Sequence, residues 1–155
     1  MNFLEINVNS LYSSINRMSE NSGRVKSLFL PFVGIVFSAE LSTIFLSQSD
    51  WVKNENHCYI FGAMMSFLLI ACSIIFASLD TFYLKYGRKY RAIYRDYCLP
   101  EDGLGRKELL DIASLQNKVT IKKRPAKNSI LFYSLINITV IVIYYIVVIT
   151  IFHLY

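Results

Sequence analysis

YIFGAMMSFLLIACSIIFASLDTFYLKYGRKYRAIYRDYCL, residues 59–99, is the stretch on which the fold turns. Its first part, residues 59–79, holds twenty-one uncharged positions. At helical rise these cover about 31 Å, enough to cross a bilayer. No helix breaker follows until Pro100, so the same rod is expected to leave the lipid with a different surface. On a helical wheel Tyr83, Tyr86, Tyr90, Tyr94 and Tyr97 fall within about 80° of one another. Lys85, Arg88, Lys89, Arg91 and Arg95 take an arc of about 160° on the other side. A membrane helix therefore continues as a tyrosine seam with a basic back.

The rest of the composition agrees with a membrane setting. Of 155 residues, 54% are hydrophobic and only 17% charged, and the apolar residues gather in three long runs. That predicts an all-α protein of one compact unit with three transmembrane helices. Cys58, Cys72 and Cys98 fall at a helix mouth, inside a span and in the basic loop, so they read as free thiols. The first 27 residues lack an early apolar core. The run from Leu28 is too long for a signal core and has no clear A-x-A site after it, so an uncleaved first span is expected.

In chain order, residues 1–27 form an amphipathic arm with Leu4, Val8, Leu11, Ile15 and Met18 at alternating four-three spacing. Such a stripe packs on the chain's own loop, on a membrane surface or on another subunit. Asn21, Ser22 and Gly23 read as a loop that ends it. Residues 28–46 are the first span, with Pro31 placed in its first turn, where a missing amide proton costs least. Glu40 is the unusual residue. An ionised carboxylate in hydrocarbon costs about 2.5 kcal/mol or more, so it faces a bundle interior or water. One reading is a ring of Glu40 side chains around an oligomeric pore; the other is a protonated acid hydrogen-bonded to a neighbouring span.

Residues 47–58 form a short outer loop in which Trp51 suits an interfacial anchor. After the second span, residues 80–129 make a basic helical loop. Gly87 is its expected hinge, Pro100 its helix stop, and Leu109, Leu110, Ile112, Ala113 and Leu115 are candidates to pack on the tyrosine seam. Gly103-Leu104-Gly105 reads as a turn rather than a phosphate loop, because no strand precedes it. Ser129 is a fair cap for the third span, residues 130–154. There Ser134, Asn137, Ile141, Tyr144 and Val148 recur at three or four residues and form one line. An Asn at such a place is interhelical glue or pore lining.

Of sixteen Lys and Arg residues, three precede the first span, one lies between the first and second, twelve lie between the second and third, and none follows. The positive-inside rule then predicts a cytoplasmic N-terminus, a cytoplasmic basic loop and an outer C-terminus. Counted from the inner face, Glu40 lies at about 18 Å, Ser66 at about 20 Å, Asn137 at about 11 Å and Tyr144 at about 21 Å. Glu40, Ser66 and Tyr144 share a level, and with Asn137 they are the candidate pore residues. The cytoplasmic part is small for an independent core, which favours a homo-oligomer such as a tetramer.

His57 and His153 both fall on the outer side, and neither a Ser-His-Asp nor a Cys-His set can be assembled without crossing the membrane. Metal-ligand spacing is also missing. No enzyme, metal or cofactor is expected, and what remains is binding. Arg88, Lys89, Arg91 and Arg95, with Lys122, Lys123, Arg124 and Lys127, would form a basic chamber when subunits meet; phosphates suit it, and tyrosines stack on bases. The other role for such residues is to orient the chain and hold anionic lipid headgroups.

LDTFYLKYGRKYRAIYRDYCL, residues 79–99, together with the three-span plan, resembles small multi-span membrane effectors of bacterial anti-phage defence, CBASS-like or Hailong-type. The resemblance implies a bacterial inner-membrane homo-oligomer with a periplasmic C-terminus, encoded with a nucleotidyltransferase. It implies disruption of the membrane under control of a nucleotide, or of a single-stranded DNA oligomer that holds the pore shut. Gly87 stands where many such motifs carry an acidic residue, which removes the salt bridge that residue would make. The sequence contains no separate sensor domain, so a ligand would bind the short helical loop. A non-conducting membrane scaffold that recruits a partner protein is the alternative.

Overall fold

The computed structural model describes residues 3–46, 55–98, 115, 119 and 127–154. Three long helices account for nearly all of them: α1, Phe3–Leu46; α2, Glu55–Ile93; and α3, Lys127–Leu154. All three are long and apolar enough to cross a membrane. The chain is an all-α, multi-pass membrane protein. A π-helical turn, Tyr94–Cys98, ends α2 shortly before Pro100, whose ring disfavours helical geometry in the residue before it.

The chain forms two compact units, and α1 and α2 each contribute to both. One comprises Val25–Ser78 and Lys127–Tyr155. Here α1 and α2 run antiparallel and α3 runs parallel to α1, as their contacts show. Phe29 of α1 meets Phe76 of α2 and Tyr133 of α3, with ring centroids at 5.4 and 4.8 Å. Further along α1, Ile44 packs against the cluster of Cys58 of α2 with Tyr144 and Val148 of α3. Phe29, Val33, Val36, Leu69 and Tyr133 form the core between these ends. Each helix buries one narrow stripe and leaves large apolar side chains such as Ile35, Phe67, Ile74 and Leu135 outward. Lipid is as apolar as those side chains, so packing and interhelical hydrogen bonds hold the helices together.

The other unit comprises Met1–Arg24 and Leu79–Ala126. Leu11, Ile93 and Leu115 are its buried centre, with Val8, Tyr90, Tyr94 and Val119 packed around them. The Val119 amide donates to the Leu115 carbonyl at 3.0 Å. Leu115 thus joins Tyr90 and Tyr94 as the spacing predicts, while Leu109, Leu110, Ile112 and Ala113 lie outside the described residues. Inside this unit Ser22 donates to the fully buried Asp80.

Several expectations about element ends are overturned. Asn21, Ser22 and Gly23 do not form a loop: α1 is unbroken through them. The cause is Ser22, which continues the buried stripe and is satisfied by Asp80, whereas Gly23 points outward. Pro31 accordingly lies deep in α1 rather than in a first turn, where it has no amide proton to give to the preceding turn. Gly87 is no hinge. It is buried where α1 comes close, and a Cβ there would stand 3.4 Å from that of Met18. The second helix starts at Glu55, so residues 55–58 belong to it rather than to the loop expected over residues 47–58. Ser129 does not cap α3, which begins at Lys127, and it is buried within the first turn. Ser134 is exposed, because the buried line of α3 runs through Tyr133, Asn137, Tyr144 and Val148.

Candidate functional site

The polar residues of the membrane bundle occupy two levels. At the first, the Ser73 hydroxyl of α2 donates to Asn137 Oδ1 of α3 at 2.9 Å and also stands 2.8 Å from the Leu69 carbonyl. Both side chains are buried. One hydroxyl proton serves both acceptors, and the pair ties α2 to α3 where no water competes.

The second level lies about two turns further along, seven residues from Ser73 to Ser66 and from Asn137 to Tyr144. From the contact layer of Phe29, Phe76 and Tyr133, eleven residues on α1 reach Glu40, eleven on α3 reach Tyr144, and eleven back along α2 reach Met65, next to Ser66. Eleven residues are close to three helical turns, so the same faces meet again about 16 Å away. Other contacts fix this register. Tyr144 donates to the Cys58 carbonyl at 2.9 Å, and its ring lies against Gly62, one turn from Ser66. A Cβ on Gly62 would overlap that ring, so glycine is required for the close approach. Ile44, one turn beyond Glu40 on α1, packs against the cluster that contains Tyr144.

Glu40 is 2% exposed, and its Oε2 has no hydrogen-bond partner. The Ser66 hydroxyl is likewise buried and unpartnered. This sets Ser66 apart, since Ser42, Thr43, Ser73, Ser78, Thr139 and Thr150 each donate to the carbonyl four residues earlier. Glu40, Ser66 and Tyr144 are therefore brought to one level, with Asn137 at another, all within the bundle of a single chain.

No family model matches the chain, and no match was found among curated proteins or solved structures.

The basic residues of the α2 segment belong to the other unit. Lys85, Arg91 and Arg95 of the α2 segment are exposed, and Arg88 and Lys89 are half-buried. Arg95 holds Asp96 at 2.8 Å, an exposed ion pair between chain neighbours that leaves most of the guanidinium in solvent. Tyr83, Tyr86, Tyr90 and Tyr94 are half-buried, and Phe82 stacks obliquely on Tyr86 at 4.6 Å. The seam is thus largely used for packing, and the side chain of Tyr97 is outside the described residues, as are Lys122, Lys123 and Arg124. Lys127 opens α3 and is exposed.

Three residues with evident roles escaped the sequence reading. Ser73 is one of several span serines, and only its position seven residues from Ser66 marks it. Gly62 looks like any span glycine until Tyr144 is seen against it. Asp80 is the first charge after the second apolar run, a signal that reads as the end of a span rather than as a buried partner of Ser22.

Proposed function

We propose that this chain is an oligomeric inner-membrane pore, opened or held shut by a nucleotide or oligonucleotide on its basic cytoplasmic face, that disrupts the membrane during anti-phage defence. The observation that carries the reading is the Glu40 level: a carboxylate and a hydroxyl, both buried and unpartnered, between helices otherwise faced with lipid. Such groups are costly in hydrocarbon and repay that cost when ions or protons pass. Glu40 would favour cations, with Ser66, Asn137 and Tyr144 along the same path. Because these side chains face the interior of one chain, conduction requires the three helices to part or turn toward an axis shared by subunits. The exposed Lys85, Arg91 and Arg95 supply a surface for phosphates. A nucleotidyltransferase encoded alongside would supply such a ligand.

Purified protein in liposomes, assayed for cation flux with and without nucleotides or single-stranded DNA oligomers, tests this. Wild type is expected to conduct in one ligand condition and Glu40→Gln to lose at least tenfold of that flux. Absence of flux in every condition counts against a pore.

One observation favours the scaffold alternative. Ser73 with Asn137, and Tyr144 with the Cys58 carbonyl, are satisfied within one chain, as a static anchor requires. That reading expects neither depolarisation nor growth arrest when the chain is expressed.

A further inference from the structure

The charge balance at Glu40 points beyond its place on a path. From residue 28 to 46 of α1, from 55 to 84 of α2 and from 128 to 154 of α3 there is no Lys or Arg. The described Lys and Arg of the bundle are Lys26 and Lys127, fourteen residues before Glu40 and seventeen before Tyr144, about 20 Å or more along the helices, so no fixed cation stands at the level of this carboxylate. A buried acid without a counter-charge is neutral or carries a bound cation; an unpaired carboxylate in low dielectric is too costly to persist. The groups about it offer oxygen. Ser66 keeps its buried hydroxyl away from the backbone carbonyl four residues earlier that Ser42, Thr43, Ser73, Ser78, Thr139 and Thr150 use, and Tyr144 keeps lone pairs on an oxygen whose proton goes to Cys58. Oxygen donors of this kind suit a proton or a hard monovalent ion, and no group of three His, Cys, Asp or Glu side chains is present among the described residues for a transition metal.

We propose that Glu40, with the Ser66 hydroxyl and Tyr144 at its level, forms a site within each chain for one small cation, either a proton or a sodium ion. The other titratable groups near this level on the facing elements are Cys58 and Tyr59 of α2, with His57 beside them in the chain, and Tyr145 of α3, while Cys72 and Tyr133 lie further toward the other end; none of them supplies a permanent positive charge. The site deepens the reading of Glu40 as part of an ion path, yet it exists in a closed, single chain and does not require conduction.

Dicyclohexylcarbodiimide reads occupancy directly. It reacts with a protonated carboxyl in apolar surroundings: the carboxyl oxygen bonds to the carbodiimide carbon while the acid proton moves to nitrogen, and the adduct rearranges to a stable N-acylurea. The detergent-solubilised full chain would be treated between about pH 5 and about pH 9, in sodium chloride or choline chloride, and modified residues located by mass spectrometry. Glu40 is expected to be labelled, with a rate that falls at least about tenfold across that range. Slower labelling in sodium than in choline identifies sodium as a second occupant; equal rates in the two salts with the pH dependence retained identify the proton alone. Ser66→Ala is expected to change the rate at neutral pH several-fold. An unlabelled Glu40, or a rate that ignores both pH and sodium, overturns the site, and an unchanged Ser66→Ala rate removes Ser66 from it. Flux plays no part in this readout, so a chain that binds the cation and fails to conduct defeats the pore reading alone.

Discussion

Gly62 shows how a single missing methyl sets an interhelical distance. The ring of Tyr144 occupies the space a Cβ would need, and its hydroxyl reaches the carbonyl of Cys58 one turn away. Gly62→Val is expected to cost about 1–3 kcal/mol, because overpacking must displace either the ring or the helix. Thermal melting in detergent would show the loss, and combining it with Tyr144→Ala should recover part of it; a Val variant that melts like wild type means the helices are not in contact there. A gentler case is Ser73 with Asn137. A double-mutant cycle with Ser73→Ala and Asn137→Leu should give a coupling of about 0.6 kcal/mol, the usual size for a hydrogen bond between membrane helices. Zero coupling would mean that the two side chains do not share a proton.

At the level of elements, α1 is the instructive one. Its sequence around Gly23 has the composition of a loop, yet the helix runs on because Ser22 has a buried acceptor in Asp80 and no competing turn offers one. Gly23 meets nothing within 4 Å, so its open space would accept a methyl group. Gly23→Ala should therefore raise stability by about 0.5–1 kcal/mol, by removing freedom from the unfolded chain in a helix interior. Gly23→Pro should lower it by about 3 kcal/mol or more. Were the segment a loop, Ala would be neutral and Pro tolerated, so melting of the two variants decides the matter. The tyrosine seam of α2 gives a different lesson: Tyr90 and Tyr94 close over Leu11, Ile93 and Leu115, so packing claims them before any ligand can.

For the whole molecule, the distribution of sixteen Lys and Arg residues leads to a test of topology. Single-cysteine variants at Lys85 or Arg95 should resist a membrane-impermeant maleimide in intact cells and react after permeabilisation; labelling before permeabilisation would invert the proposed orientation. Reversal of exposed charge at Arg91 and Arg95 to Glu should weaken binding of a single-stranded oligonucleotide at least tenfold and flatten its salt dependence, because fewer counterions are released. Unaltered binding would move the ligand away from this face. Cross-linking in native membranes should give one closed oligomer, since a pore built from three-helix chains needs several copies around an axis.

Length and hydropathy alone determined the three spans, the all-α class and the clustering of cations between the second and third. Those properties depend on sums over many residues, which no single contact can reverse. Periodicity also placed Glu40, Tyr144 and Ser66 at one depth, because helical rise is constant. What the tertiary structure decided is which way each side chain turns. Ser134 and Tyr133 are neighbours in sequence and opposite in burial, and Gly87 and Gly23 are both glycines although only the first meets another helix. Such outcomes depend on the rotation of one helix against another, a property of the partner's surface that no strand of local sequence contains.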